Sequence, residues 1–576
     1  MTLPTRLPRR PTSPTLLTVT CSLPRASRCA LRRVSLFRCL AFSVAVLPGC
    51  PDASRSDSGD TPAAQDADDA SSVDADLPDA PAPDVPPPPE HASVTQFLSD
   101  IRRTGANRNE RVLTPTSLRA GRLRRVTSFL PTLDGQLYAQ PLYLPRLDVR
   151  GAVHDVVLVA TQNNSLFALD ADTGIALWQL HVGTPVPRAS QPCGNIAPTV
   201  GVVGTPVIDE ATLTLYAVSF ETPDAGVTKR YVVHAVDVRT GVERAGYPQT
   251  IAPPASNGST FDAHATGQRG ASLLLNGQLY VTFGGLAGDC GMYHGWVAAI
   301  DVANPTRQSA FATPGRGSGL WAPGGLASDG TSLFIATGNG FTPDAMGEYV
   351  ARIRVASAGP TFGGSSTDYF TPSDRLALDL SDGDVGSVTP LLIDHPGSRT
   401  PHLLFQGGKR GVGYLLNRDD LGGPGRGDGT NGEGLQSGAL LSAGILGANA
   451  TWSSARETYI FVSGRGGRAA PCTGGGGVVA LRLRVGASGT SEFEVAWCTA
   501  TIGNPGSPWV TSNGDASAIL WVVGASPPTV RAYDIADGTE VFSDAPPSVR
   551  YWTPVVAADG RVFVTGQDGL FMYRLN

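Results

Sequence analysis

The stretch Val156–Trp178, VVLVATQNNSLFALDADTGIALW, constrains this chain more than any other, because it holds two strands, their turn and a docking segment. Val156 to Ala160 form an apolar β run, Gln162-Asn163-Asn164-Ser165 a polar hairpin connection, and Leu166 to Leu169 a second run. Then comes Ala168-x-Asp170-x-x-Thr173-Gly174-x-x-x-Trp178. Asp170 followed by Thr173-Gly174 closes a tight turn through side-chain to backbone hydrogen bonds and a residue free to take positive φ. Trp178 is then placed to lie over a neighbouring sheet, burying on the order of 150–250 Å².

The same logic recurs. From Ala139 onward, first-strand sequences such as GTPVID and TPVVAADG return at intervals of roughly 60 residues, the period of propeller blades. Ala235-x-Asp237-x-x-Thr240-Gly241 repeats the turn without its Trp, Ala299-x-Asp301 is a remnant, and Ala532-x-Asp534-x-x-x-Gly538 is a late copy. The final repeat has only three strands, so LRRVTSFLPTLDG at 123–135 is expected to supply the fourth and close the ring. Ser93-Val94-x-x-Phe97-Leu98-x-x-Ile101 has helical spacing and predicts one short helix before the ring.

The repeat resembles that of the pyrroloquinoline-quinone (PQQ) dehydrogenase-like β-propellers, in which A-x-D-x-x-T-G-x-x-x-W locks the blades. Further strings, RTGANRNERVLTP, DGQLYAQPLYLP, GDCGMYHGWV, GLWAPGG with ATGNG, DYFTPSD and GGKRGVGYLLNRDDLGG, are similar to one group of bacterial PQQ-like propeller proteins. The resemblance spans about residues 99–576. It implies an all-β, eight-bladed, quinoprotein alcohol dehydrogenase-like propeller over residues 93–576, closed by the N-terminal strand.

Ahead of the ring lie two segments of different chemistry. Residues 1–49 carry eight Arg and no acid, and Arg32-Arg33 followed by the apolar run to Leu47 has the order of a secretory signal. Leu47-Pro48-Gly49-Cys50 resembles the bacterial lipobox, making Cys50 the expected lipidation site of an exported, membrane-anchored lipoprotein in the periplasm or at the cell surface. Residues 50–92 hold ten Asp, one Glu and one Arg with almost no large apolar residues, so they are expected to form a disordered tether. The tether's balance of −10 is set against +8 in the leader, leaving about −4 for the ring, so no basic surface for nucleic acid is implied.

Four cysteines remain in the ring, Cys193, Cys290, Cys472 and Cys498, and they allow three pairings. Cys193–Cys290 and Cys472–Cys498 are expected, each joining neighbouring repeats. There is no C-x-x-C-H for an attached haem. Cys290-x-x-x-His294-x-Trp296 offers two soft ligands, short of the four of a structural zinc site.

Three positions are candidates for cofactor binding. In PQQ-dependent alcohol dehydrogenases an Asn in a T-G-N segment helps hold the Ca²⁺ that polarises the quinone, and Thr337-Gly338-Asn339 resembles it. A basic residue of a comparable hairpin approaches the quinone there, which points to Lys409. Arg269, before a buried strand, can fork onto carbonyls or onto a bound anion. The family's adjacent cysteines are missing here, and the N-P-x-x-W that usually follows the Asn is replaced by Gly340-Phe341-Thr342-Pro343. Two functions follow from the resemblance. The first is a monomeric binding or scaffold module of the cell envelope, meeting an envelope protein or small ligand at the propeller face and the membrane only through its lipid. The alternative is a PQQ- and Ca-dependent oxidoreductase of alcohols or sugars, with the cofactor over the central channel; an acidic cluster around Asn339 at the channel mouth would favour it.

Overall fold

A computed structural model describes residues 91–576 apart from 428–430, 445 and 473–474. The leader, Cys50 and nearly all of the acidic segment lie outside the described residues. Eight antiparallel sheets form an eight-bladed β-propeller. In the first blade Leu142–Val149, Ala152–Ala160, Ser165–Asp170 and Ala176–His181 pair in sequence order. The last blade runs Val556–Ala558, Arg561–Thr565, Leu570–Leu575, and its outer strand is Leu123–Arg125, with Leu123 opposite Leu575. The N-terminal strand thus closes the ring, as the missing fourth strand requires.

Apolar runs rather than alternating ones build these blades because both faces of each sheet are covered. Val156 to Ala160 are all buried. The core consequently lies between blades: one cluster joins Leu158, Ala168 and Trp178 of the first blade to Ile208, Leu215 and Val236 of the second. The blade-locking motif works across this boundary. Asp170 accepts from the Thr173 amide and hydroxyl at 2.9 and 2.8 Å and shapes its own turn. Trp178 docks on the next blade, where its Nε1 donates to the Val238 carbonyl at 2.8 Å. A Cβ at Gly241, which has φ +72°, would stand 2.8 Å from that ring. Trp497 of the sixth blade repeats the arrangement on Ile535 and Gly538 of the seventh. In the second blade, whose Trp is absent, Tyr247 takes the role and donates from its hydroxyl to the Val302 carbonyl at 3.1 Å.

This docking is expected to contribute measurably. Trp178→Ala should lower the unfolding free energy by about 3–5 kcal/mol, as large-to-small core changes do, and Gly241→Ala by about 2 kcal/mol from crowding and left-handed backbone. Chemical denaturation reads both, and a change under about 1 kcal/mol for Trp178→Ala would remove the docking role.

The segment before the ring is not a helix. Leu98, Ser99 and Arg103 have φ of 55°, 70° and 61°, which break helical geometry. The apolar spacing of Val94, Phe97 and Leu98 is real, but it buries these residues against the channel wall. Residues 94–107 form a strap that visits the inner edge of each blade in turn. Backbone bonds run from Tyr143 N to Val94 O, Ile208 N to Thr95 O, Ser328 N to Ile101 O, Leu392 N to Arg102 O, Thr451 N to Thr104 O and Val510 N to Gly105 O. Those acceptors serve blades one, two, four, five, six and seven. Blade eight is met by the Asn107 amide on the Ala557 carbonyl, and blade three by Arg103 on the Ser272 carbonyl. Arg103 is buried, and its guanidinium also donates to the carbonyls of Leu326 and Phe97. Burial pulls its pKa down to about 10, against the opposing pull of Asp100.

The strap keeps to one end of the channel. Its side chains and those just after it meet the turns between first and second strands: Arg102 pairs with Asp394, Arg108 with Asp515, and Glu110 accepts from the Gly560 amide. The other end is left open. Among the described residues, no helix is long and apolar enough to cross a membrane.

Candidate functional site

In an antiparallel blade, the loop before the first strand and the loop after the second emerge at the same end. Here that is the end opposite the strap, and these loops surround a cavity of about 410 Å³. Asn339 follows the second strand of the fourth blade, Asp384 precedes the fifth blade and Lys409 follows that blade's second strand. All three line the cavity together with Arg269, Trp321 and Trp552. The three positions singled out in the sequence therefore converge from three blades on one space.

Asn339 is the centre of the acidic wall. Its backbone amide donates to Asp384 Oδ1 at 3.0 Å, and the Gly340 amide donates to Asp379 Oδ1 at 2.6 Å. One end of the Asn339 side-chain amide lies 3.0 Å from Glu348 Oε1 and 2.6 Å from Asp384 Oδ1. Turned with nitrogen toward them, it donates to both carboxylates. Turned the other way, three oxygens converge on one point, the arrangement that a hard cation takes. Glu348 is fully buried, accepts from the Val385 amide at 2.5 Å and has φ 61°; Asp382 has φ 55°. Non-glycine residues held in the left-handed region beside a cavity are a mark of functional sites.

Charge is unevenly compensated there. Lys409 Nζ reaches Asp384 Oδ2 at 2.7 Å and Asp382 Oδ1 at 2.6 Å, and lies 5.1 Å from the Trp321 ring centre. Burial alone would lower its pKa, but the two aspartates outweigh this and hold it raised. Glu348 has no such partner. Burial and the Asp384 charge push its pKa well above the carboxylate range, to about 9. Burial also raises Asp384, against the pull of Lys409. A buried carboxylate made more basic while held by a lysine and an amide is suited to accept a proton.

Cys193 and Cys290 are joined, linking the loop between the first two blades to the third. Their neighbours Gly194 and Gly288 line the cavity, so the bridge holds part of its rim. Cys472 and Cys498 are also joined, within the sixth blade rather than between neighbouring repeats. His294 Nδ1 contacts the Thr313 carbonyl at 2.9 Å and Trp296 is buried beside Phe261, so this pair packs. Glu348, Asp382, Asp384, Trp321 and Trp552 were not singled out in the sequence. Only the order GLWAPGG then ATGNG pointed their way.

Fold and cavity together define an eight-bladed β-propeller with an acidic cavity at the end opposite the strap. Solved structures share this fold. The quinohemoprotein alcohol dehydrogenase ADHIIG of Pseudomonas putida HK5 aligns with TM-score 0.57 at 14% identity, over 84% of this chain and 80% of that one. The quinohemoprotein alcohol dehydrogenase of Comamonas testosteroni aligns with TM-score 0.54 at 13% identity over the same shares, 84% and 80%. A europium-containing methanol dehydrogenase gives 0.51 at 14% identity, over 84% of this chain and 98% of that one. At these identities the likeness is one of fold. By sequence, residues 139–260 match the family profile described as outer membrane protein assembly factor BamB. No curated protein matches.

Proposed function

We propose that this protein is a quinone-dependent oxidoreductase that holds PQQ with a hard cation such as Ca²⁺ in the cavity opposite the strap. The observation that carries the reading is the convergence of the Asn339 side-chain amide with the Glu348 and Asp384 carboxylates beside Lys409 and Trp321. With the Asn339 amide turned to present its oxygen, the three protein oxygens would leave the remaining positions of a six- to eight-coordinate ion for the ligand and water. Trp321 offers an aromatic wall for a planar ring system. When bound, the quinone would supply a two-electron acceptor that the chain's own side chains lack. Asp384 would then hold the ion through Oδ1 and take the hydroxyl proton of an alcohol or sugar at Oδ2, beside Lys409, whose charge would stabilise the alkoxide left behind.

Calorimetric titration of PQQ with Ca²⁺ into the full chain tests the reading. Micromolar or tighter binding is expected, weakened at least about 30-fold in Asn339→Ala, or roughly 2 kcal/mol. No detectable binding would leave the envelope binding or scaffold module, the reading that the match over residues 139–260 supports. In either case we propose an exported, monomeric protein anchored through Cys50.

A further inference from the structure

Behind the main cavity lies a smaller annex of about 90 Å³. The two share Asn195, Ile196, Arg269 and Trp552, and Phe97 of the strap also lines the annex. It is too small for a fused ring system but has room for roughly half a dozen waters or a small ion.

Its polar lining supplies mostly donors, set among apolar and aromatic side chains. Arg269 donates to Asn195 Oδ1 at 3.0 Å and lies 5.5 Å from the Trp552 ring centre. Arg550 lies 4.2 Å from the Tyr138 ring centre and donates to Gln136 Oε1 at 2.9 Å, while its Nε is buried without a partner. Thr205 is 3% exposed; its hydroxyl oxygen accepts from the Gln140 amide at 2.9 Å, which leaves the O–H to donate. Among the described residues, no carboxylate stands within 4 Å of either guanidinium, although arginines elsewhere on the propeller pair freely with Asp and Glu. Two cations without a counter-charge sit half-buried among Trp552, Tyr138, Phe97, Ile196 and Pro323, where their partial desolvation carries a cost. An anion between them offsets that cost. A planar carboxylate matches the guanidinium fork, and the buried Thr205 hydroxyl and Arg550 Nε provide further donors.

We propose that the annex is a carboxylate subsite that takes a free anion of acetate size. The assignment goes beyond the quinone reading and does not rest on it, since the subsite is formed without a cofactor.

Saturation-transfer NMR on the full chain, with no cofactor added, tests this using the methyl protons of acetate, the neutral isostere acetamide and tetrahedral methylphosphonate. Acetate should take up saturation with at least tenfold preference over acetamide. The double variant Arg269→Gln/Arg550→Gln should reduce the acetate signal at least tenfold, and Arg269→Lys/Arg550→Lys, which keeps the charge, should restore at least a third of it. Methylphosphonate competing with acetate supports a site for both anion shapes. Methylphosphonate binding with acetate excluded would overturn the carboxylate assignment. Equal signals from acetate and acetamide, or an acetate signal unchanged in both double variants, would overturn the site altogether.

Discussion

A chain lacking residues 91–135 is expected to show no cooperative melt, because that segment is the ring's clasp and its inner lining at once. The deletion removes Leu123–Arg125, which reopens the edge of Leu570–Leu575. It also removes Val94, Phe97, Leu98, Leu113, Leu118, Leu123 and Phe129, each 2% exposed or less. At about 1.5–3 kcal/mol for each buried apolar side chain, these seven contribute roughly 10–20 kcal/mol, as much as the whole stability of a typical domain. The inner edges of seven blades would lose a backbone partner or an Arg103 contact to the strap, and blade eight its Asn107 contact. Circular dichroism melts and size-exclusion chromatography check the result. Melting at an unchanged temperature would show that the eight blades close without the strap. A smaller change probes the same element: Arg103→Met leaves the carbonyls of Ser272, Leu326 and Phe97 without their charged donor, and hydrogen bonds to charged groups contribute about 1.5–3 kcal/mol each.

Glu348→Gln is expected to stabilise the cofactor-free protein, with an effect that grows with pH. In the folded chain Glu348 keeps its proton up to a pH of about 9, because burial and Asp384 oppose its charge; unfolded, it ionises near the ordinary glutamate value of 4.5. A group whose pKa is raised on folding contributes stability in full below the unfolded value and loses it as pH rises through the folded value. Wild-type stability should therefore fall between pH 5 and pH 9 relative to the Gln variant, which carries no titrating charge. A tenfold change in proton affinity between the folded and unfolded chain corresponds to about 1.4 kcal/mol, so a difference on the order of a few kcal/mol should open by pH 9 and vanish near pH 4.5. Gln retains an oxygen for the Val385 amide, so the local fold keeps its bond. Denaturation at pH 5, 7 and 9 reads the difference, and parallel curves would remove the buried charge from the account. The same variant should lose Ca²⁺ affinity, since an amide oxygen replaces a carboxylate.

Much of the ring was legible in the sequence because its information is local. The Asp170-Thr173-Gly174 turn is closed by atoms three and four residues apart, and the two apolar runs ahead of it specify a hairpin. The three-strand final repeat announced a borrowed strand, and Leu123–Arg125 fills that place. The helix expected at Ser93–Ile101 had the right apolar spacing and the wrong geometry. Period alone cannot say whether a buried face belongs to a helix or to a strap bonded to eight separate edges. Asn339, Lys409 and Arg269 were marked by resemblance, yet nothing in their neighbourhoods showed that they share one cavity.

By itself, then, the sequence determined the β-propeller repeat, the blade-to-blade docking motif and the closing strand, since each depends on contacts within one repeat or on a count of strands. Tertiary structure alone decided which charges meet. Glu348 faces Asp384 across the boundary between the fourth and fifth blades, and Arg269 and Arg550 line one annex from the third and eighth. Those pairings are set by the radius and closure of the ring, because only the circular arrangement of blades brings loops hundreds of residues apart in sequence to the same end of the channel.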